Sequence, residues 1–296
     1  MKRATEALPH KYLFTGLSFN NSFFYMKKIF NSFLFLSLTA LSINAQELKL
    51  IGKAEPGGVL IGTGKNISSA YLNDTKLMVD KNGIFILGFD RDAAGAQYLK
   101  VEFENGEIET KKILLPKRKY VIQKLTIAEK YVNPPQEELE RIEIESKKMN
   151  EARSQVGKID SALFSIGFIK PAAGRISSVF GSQRILNGIP KSPHNGIDIA
   201  APEGTAVLAA SDGVVIIAGE DFYYNGNFIL IDHGQGLSSI YLHLSKLNTK
   251  TGDLVKKGQK IGEVGSTGRS TAPHLHWGVQ WYGNRIDPMS LLNISF

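Results

Sequence analysis

The 296-residue sequence contains no cysteine. Disulfides, thiolate zinc sites, a cysteine nucleophile and lipid attachment to an N-terminal cysteine are therefore excluded, and any metal must be held by nitrogen and oxygen. A membrane-spanning run is lacking too. The apolar stretch at residues 29–43 is about 15 residues long, against the roughly 20 that cross a bilayer. With the basic pair Lys27-Lys28 before it and Ile43-Asn44-Ala45 ahead of Gln46, it reads as a secretory signal peptide that starts at Met26 and is cleaved after Ala45. Residues 1–45 are then upstream segment plus signal, and His10 is set aside with them. Excess charge is scarce as well. The formal net charge is +7, of which +4 lies before residue 46; the remaining +3 is too weak a field to argue for nucleic acid. The basic triplet Lys117-Arg118-Lys119 has no aromatic residues interleaved with it and reads as a polar hairpin end.

Apolar residues make up 43% of the chain, enough for one or two cores. Short strands are expected at residues 48–51, 59–63, 70–72, 84–89, 98–104, 107–115 and 120–127, separated by turn signals. Asn105-Gly106, between alternating Val101, Phe103 and Ile108, is a strong hairpin signal. Residues 46–128 thus read as an accessory β-sandwich without histidine, a spacer or docking module. Asn133-Pro134-Pro135-Gln136 combines an N-cap residue, proline at the first helical position and glutamine three residues after the cap. A helix is expected from there to about Gly157, with Leu139, Ile142, Ser146 and Met149 on one face and Glu137 to Arg141 and Glu143 to Lys147 paired on its surface. It falls in a helical linker, residues 129–165. Residues 166–296 read as all-β, with strands at 214–217, 228–231, 238–242, 254–264 and 275–281 and only a short helical turn near the end.

The remaining five histidines, His194, His233, His243, His274 and His276, all lie in this last region. Histidine is the commonest neutral metal ligand. On a strand, His274 and His276 project from one face while Leu275 packs the other way; a metal ion resolves the conflict between two adjacent imidazoles. His194 and Asp198 are four apart, with Gly196 between them allowing the chain to bend. A short ligand pair and a distant third ligand are the usual layout of a catalytic zinc site with a position kept for water. Two neutral imidazoles and one carboxylate leave such a site at net +1, electron-poor enough to acidify a water to a pKa of about 7. There is no His-Glu-x-x-His, so the usual glutamate base is missing from its usual place. His233, in Asp232-His233-Gly234, reads as structural. The glycines at 265 and 268 shape a loop and not a phosphate cradle, because no Gly-Lys-Ser/Thr follows.

Four segments carry a resemblance: Gly174-Arg175-Ile176-Ser177-Ser178-Val179-Phe180-Gly181, His194-Asn195-Gly196-Ile197-Asp198, Tyr241-Leu242-His243, and Gly265-Ser266-Thr267-Gly268 running on to Pro273-His274-Leu275-His276. Together, in this order, they resemble the M23 peptidases, the lysostaphin-type or LytM-type zinc endopeptidases of cell walls. The resemblance covers the C-terminal region and implies a LytM-type peptidase domain. It implies one Zn2+ held by His194, Asp198 and His276, and it makes His243 and His274 catalytic, as proton carriers or oxyanion stabilisers. It also implies peptidoglycan peptide stems or cross-links as substrate. With the signal peptide, it implies an exported, periplasmic or extracellular protein that has no nucleic-acid partner and no stable membrane insertion after cleavage. Some members that have lost ligands instead activate other wall hydrolases, so a catalytically silent regulator is the competing expectation; here all five positions are filled.

Overall fold

Alternating apolar and polar residues organise the N-terminal part into two antiparallel sheets. The strands are β1 (Lys49–Gly52), β2 (Val59–Thr63), β3 (Ile67–Leu72), β4 (Thr75–Leu77), β5 (Ile84–Gly88), β6 (Gly95–Phe103) and β7 (Ile108–Leu115). One sheet runs β1-β2-β5 and the other β4-β3-β6-β7. Ile61, Phe85 and Leu87 from the first and Leu99, Val101 and Ile113 from the second are buried in a shared core. The Asn105-Gly106 turn closes β6 onto β7, with Gly106 at φ 85° and the Asn105 side chain accepting the Glu107 N–H. The computed structural model describes residues 47–292 and 294, so the signal-peptide reading of residues 1–45 lies outside the described residues.

The strand expected near 120–127 forms as β8 (Ile122–Leu125) but leaves the two N-terminal sheets. It pairs in parallel with a strand of the C-terminal region, as the middle residues of 116–121 carry the chain across and Tyr120 packs edge-on against Phe180. The following helix begins later than its capping signal. Asn133 turns its amide to Glu129 and the chain enters through a 3-10 turn, Gln136–Glu138, into α1 (Leu139–Arg153). The surface pairs also differ from expectation: Arg141 binds Glu145 at 2.8 Å, Glu138 at 3.6 Å and Asp221 on the neighbouring strand at 3.2 Å. Of the expected apolar face, Met149 is buried against Phe222 and Phe228, whereas Leu139 stays exposed.

The C-terminal strands are β9 (Arg175–Ser178), β10 (Gln183–Leu186), β11 (Ile189–Pro190), β12 (Gly196–Ala200), β13 (Ala206–Leu208) and β14 (Gly213–Phe222). They continue with β15 (Gly226–Asp232), β16 (Leu237–Leu247), β17 (Leu254–Val255), β18 (Lys260–Val264), β19 (His274–Trp281) and β20 (Asn284–Ile286), and a short α2 (Pro288–Leu291) ends the described chain. Ten of them form one sheet whose main path is β17-β14-β15-β16-β19-β12-β9. The single strand expected over 254–264 is broken into β17 and β18 by a turn in which Gly258 takes φ 84°. Ile197, Ile199, Ile229, Tyr241, Leu275 and Trp277 fill the interior. That core is continuous with the N-terminal one, and the described residues form one compact unit.

Candidate metal centre

Three adjacent strands position the site. Asp198 lies directly opposite His276 in the β12–β19 register, and His276 lies opposite Leu242 in the β16–β19 register. The close β12–β19 approach depends on Gly196. A Cβ there would stand 2.4 Å from the Trp277 carbonyl oxygen and 2.9 Å from His276 Nε2. His194, two residues before β12, is almost wholly buried.

The donor atoms form a small triangle. His194 Nε2 is 3.0 Å from Asp198 Oδ1 and 3.0 Å from His276 Nδ1, and His276 Nδ1 is 2.9 Å from the same Asp198 oxygen. Tetrahedral ligands about 2.0–2.1 Å from an ion stand roughly 3.4 Å apart, so a modest outward movement of each would accommodate one. Among the described residues, this is the group of histidine and acidic side chains that converges closely enough to hold a metal. The surroundings fit that use. His194 Nδ1 is 3.1 Å from the Val179 carbonyl and 3.0 Å from Ser178 Oγ; since a carbonyl can only accept, Nδ1 carries the proton and Nε2 presents a lone pair to the centre. Burial by itself would raise the Asp198 carboxyl, but the His194 and His276 imidazoles bonded to it hold it well below the usual carboxylate range. Burial pushes the His276 imidazole down to about 4, against the pull of Asp198. All of this keeps the carboxylate ionised and His276 neutral, the forms that ligate.

His243 and His274 stand alongside. The His243 ring centroid is 4.8 Å from that of His274 and 6.4 Å from that of His276. His243 Nδ1 donates to the Thr267 carbonyl at 2.8 Å and His274 Nδ1 to the Ala272 carbonyl at 2.8 Å. His274 Nε2 is 3.9 Å from Asp198 Oδ1. Burial and the neighbouring His274 and His276 push the His243 imidazole down to about 3. His243 is held at φ 65°, a left-handed conformation uncommon for a residue with a Cβ, by its own N–H bond to the Asn225 carbonyl. The loop 265–273 that supplies Thr267 and Ala272 lies flat on the 224–226 turn. A Cβ on Gly268 would stand 2.3 Å from the Gly226 nitrogen.

His233 lies outside the cluster. It is fully buried, donating from Nδ1 to the Asp212 carbonyl at 2.6 Å and meeting Ser239 Oγ with Nε2 at 2.7 Å.

Several further residues at the site were given no role from the sequence. Arg184, on β10, reaches the second carboxylate oxygen of Asp198 at 3.0 Å. Arg269 lies over the Tyr224 ring at 4.7 Å. Leu125 and Ile127, at and just after the end of β8, and Tyr131 from the linker join Asp198, His243, His274 and His276 in lining a cleft of about 110 Å³, and the Tyr131 hydroxyl donates to the Gly268 carbonyl. Nothing local distinguishes these side chains, because only the path of β8 beside β10 brings the linker here.

A mainly β domain that gathers two histidines and an aspartate around one point, with two further imidazoles beside it, defines the class: a domain with a metal-binding type of centre. Residues 192–288, about a third of the chain, match the model of peptidase family M23. The peptidoglycan DD-endopeptidase ShyA of Vibrio cholerae is 44% identical over 117 residues, which cover 39% of this chain and 27% of ShyA. The DD-carboxypeptidase/endopeptidase Mpg of Neisseria meningitidis is 44% identical over 117 residues, covering 40% of this chain and 27% of Mpg. The chain thus spans about a quarter of the length of these relatives. A crystal structure of a Pseudomonas aeruginosa protein assigned to peptidase M23 superposes with a TM-score of 0.58 at 29% identity, covering 81% of this chain and 95% of that one. Among the described residues, no helix is long and apolar enough to cross a membrane.

Proposed function

We propose that this chain is an exported zinc metalloendopeptidase that hydrolyses the peptide cross-links of bacterial peptidoglycan. The observation that carries the reading is the triangle of His194 Nε2, Asp198 Oδ1 and His276 Nδ1, with edges of 2.9–3.0 Å, faced by His243 and His274. The likeness of the C-terminal domain to named peptidoglycan endopeptidases supports the substrate class. His194, Asp198 and His276 would hold Zn2+, which when bound supplies a Lewis acid and lowers the pKa of water to about 7.

The protein's own groups carry the protons. His243, neutral and fixed by Thr267, accepts a proton at Nε2, as does His274, fixed by Ala272. Once protonated, either becomes a donor to the developing oxyanion or to the departing amine nitrogen. The carbonyls that hold both Nδ1 protons keep the rings from turning away, so the two acceptor atoms are organised before substrate arrives. Arg184 opposes the charge of Asp198 and anchors the oxygen that faces away from the triangle.

Purified protein should clear isolated cell-wall sacculi, with new peptide ends identified by mass spectrometry. His276→Ala, or a chelator, should abolish clearing, and zinc measured after dialysis should be stoichiometric in the wild type and lost in Asp198→Ala. Clearing that survives both treatments overturns the zinc assignment; a metal-free, inactive wild type favours the regulator.

A further inference from the structure

On the side of the centre formed by His194 and His276 lies a second, larger cleft of about 320 Å³. Its walls hold Arg153, Arg184, Lys191, Arg269 and Arg285, and among the described residues no aspartate or glutamate lines it. A cationic wall of this density next to an imidazole cluster is costly unless something negative answers it.

Three of the five have partners. Arg184 reaches Asp198, Lys191 donates to the Val132 carbonyl at 3.1 Å, and Arg285 donates to the Gln280 side-chain oxygen at 2.9 Å. The guanidinium groups of Arg153 and Arg269 make no hydrogen bond or ion pair among the described residues, and Arg153 Nε is buried without a partner. Arg153 ends α1, in which Arg141 pairs with Glu145. Arg269 is oriented by the face of Tyr224. Burial, together with the Arg285 charge, pushes the Arg153 guanidinium down to about 10, which leaves it charged at neutral pH.

We propose that this cleft recognises a free carboxylate on the peptide substrate, with Arg153 and Arg269 as its charge partners. The inference rests on the peptidase reading above and specifies its substrate: a peptide with an unamidated carboxyl near the cut bond, either a terminal α-carboxylate or a side-chain carboxylate. A planar guanidinium suits a carboxylate because it offers two parallel N–H groups, which an ammonium does not. His194 and His276 form part of the same wall, so a carboxylate seated there would register the neighbouring peptide bond against the histidine cluster.

The test is calorimetric and needs no turnover. Short peptides matching the products of wall digestion are titrated into the full-length protein in three forms: both carboxyls free, the terminal one amidated, or the side-chain one amidated. One amidation is expected to weaken binding about tenfold or more, and which one identifies the source of the carboxylate. Arg153→Gln and Arg269→Gln should each remove most of that preference, with unchanged circular dichroism as the check on folding. Equal binding of all three peptides, no binding, or a preference kept in both variants overturns the carboxylate site. Sacculus clearing by the wild type is scored separately, so a protein that clears walls but ignores amidation loses only this inference.

Discussion

His233 shows how one side chain ties stability to pH. Its burial pushes the imidazole down to about 4 from the usual 6.5, and both nitrogens are satisfied only in the neutral form. A depressed histidine is protonated more readily in the unfolded chain, so stability is full above pH 6.5 and falls as the pH drops toward 4. The loss attributable to this group reaches about 3 kcal/mol. Urea unfolding at pH 7 and pH 4.5 samples most of it; the fall should be smaller by about 2 kcal/mol in His233→Gln, and equal falls in the two proteins would show that the imidazole is not held neutral. Sequence marked this histidine as structural from its place beside a turn, but its partners, Asp212 and Ser239, come from two other segments. Arg153 and Arg184 gave no signal at all, since a basic side chain in a sequence shows nothing of whether an acid lies within reach.

Strand pairing accounts for the elements of the centre. The two-residue spacing of His274 and His276 was legible because side-chain alternation is a local property of a strand. The placing of Asp198 opposite His276 is a matter of register between β12 and β19, and a slip by one residue would turn the aspartate to the other face. Gly196 maintains that approach. In Gly196→Ala the added methyl meets His276 Nε2 and the backbone of Trp277 and Gly278, and that backbone cannot retreat without shifting β19. The expected cost is about 1–3 kcal/mol, read as a lower melting temperature, together with weaker zinc retention in equilibrium dialysis; a variant that keeps both would show that the strands have room to spare. The helix start moved for a different reason. Pro134 and Pro135 after Asn133 carry no N–H for its side-chain oxygen to accept, and its amide N–H donates instead to Glu129.

Across the whole molecule, the N-terminal sheets and the C-terminal sheet share one continuous core. Gly88 of β5 lies so close to Trp281 and Ile286 that a Cβ would come within 2.8 Å of the latter. Arg118 spans the same junction. It binds Asp287 at 2.5 Å and the Pro56 carbonyl at 2.9 Å, while Asp287 caps α2 through the Met289 N–H. Thermal unfolding should therefore show one cooperative transition in the calorimeter. Arg118→Met should lower stability by on the order of 2 kcal/mol, because it strands a mostly buried carboxylate; two separated transitions in the wild type would contradict the shared core. Sequence assigned Lys117-Arg118-Lys119 to a polar hairpin end, since charge density is visible in a sequence and the partner 169 residues away is not.

What the sequence by itself determined was set by local chemistry. The lack of cysteine restricted any metal to nitrogen and oxygen donors, period-two alternation made the chain mainly β, and the spacings around His194 and His276 nominated the residues of the centre. Tertiary structure decided which atoms meet. It brought the linker along the cleft beside β10, turned His243 toward the cluster through the Thr267 carbonyl, and lined the neighbouring cleft with arginines from α1, β10, the 265–273 loop and β20. Those outcomes depend on contacts between segments far apart in the chain, and only the packing of the sheets brings such segments within hydrogen-bonding distance.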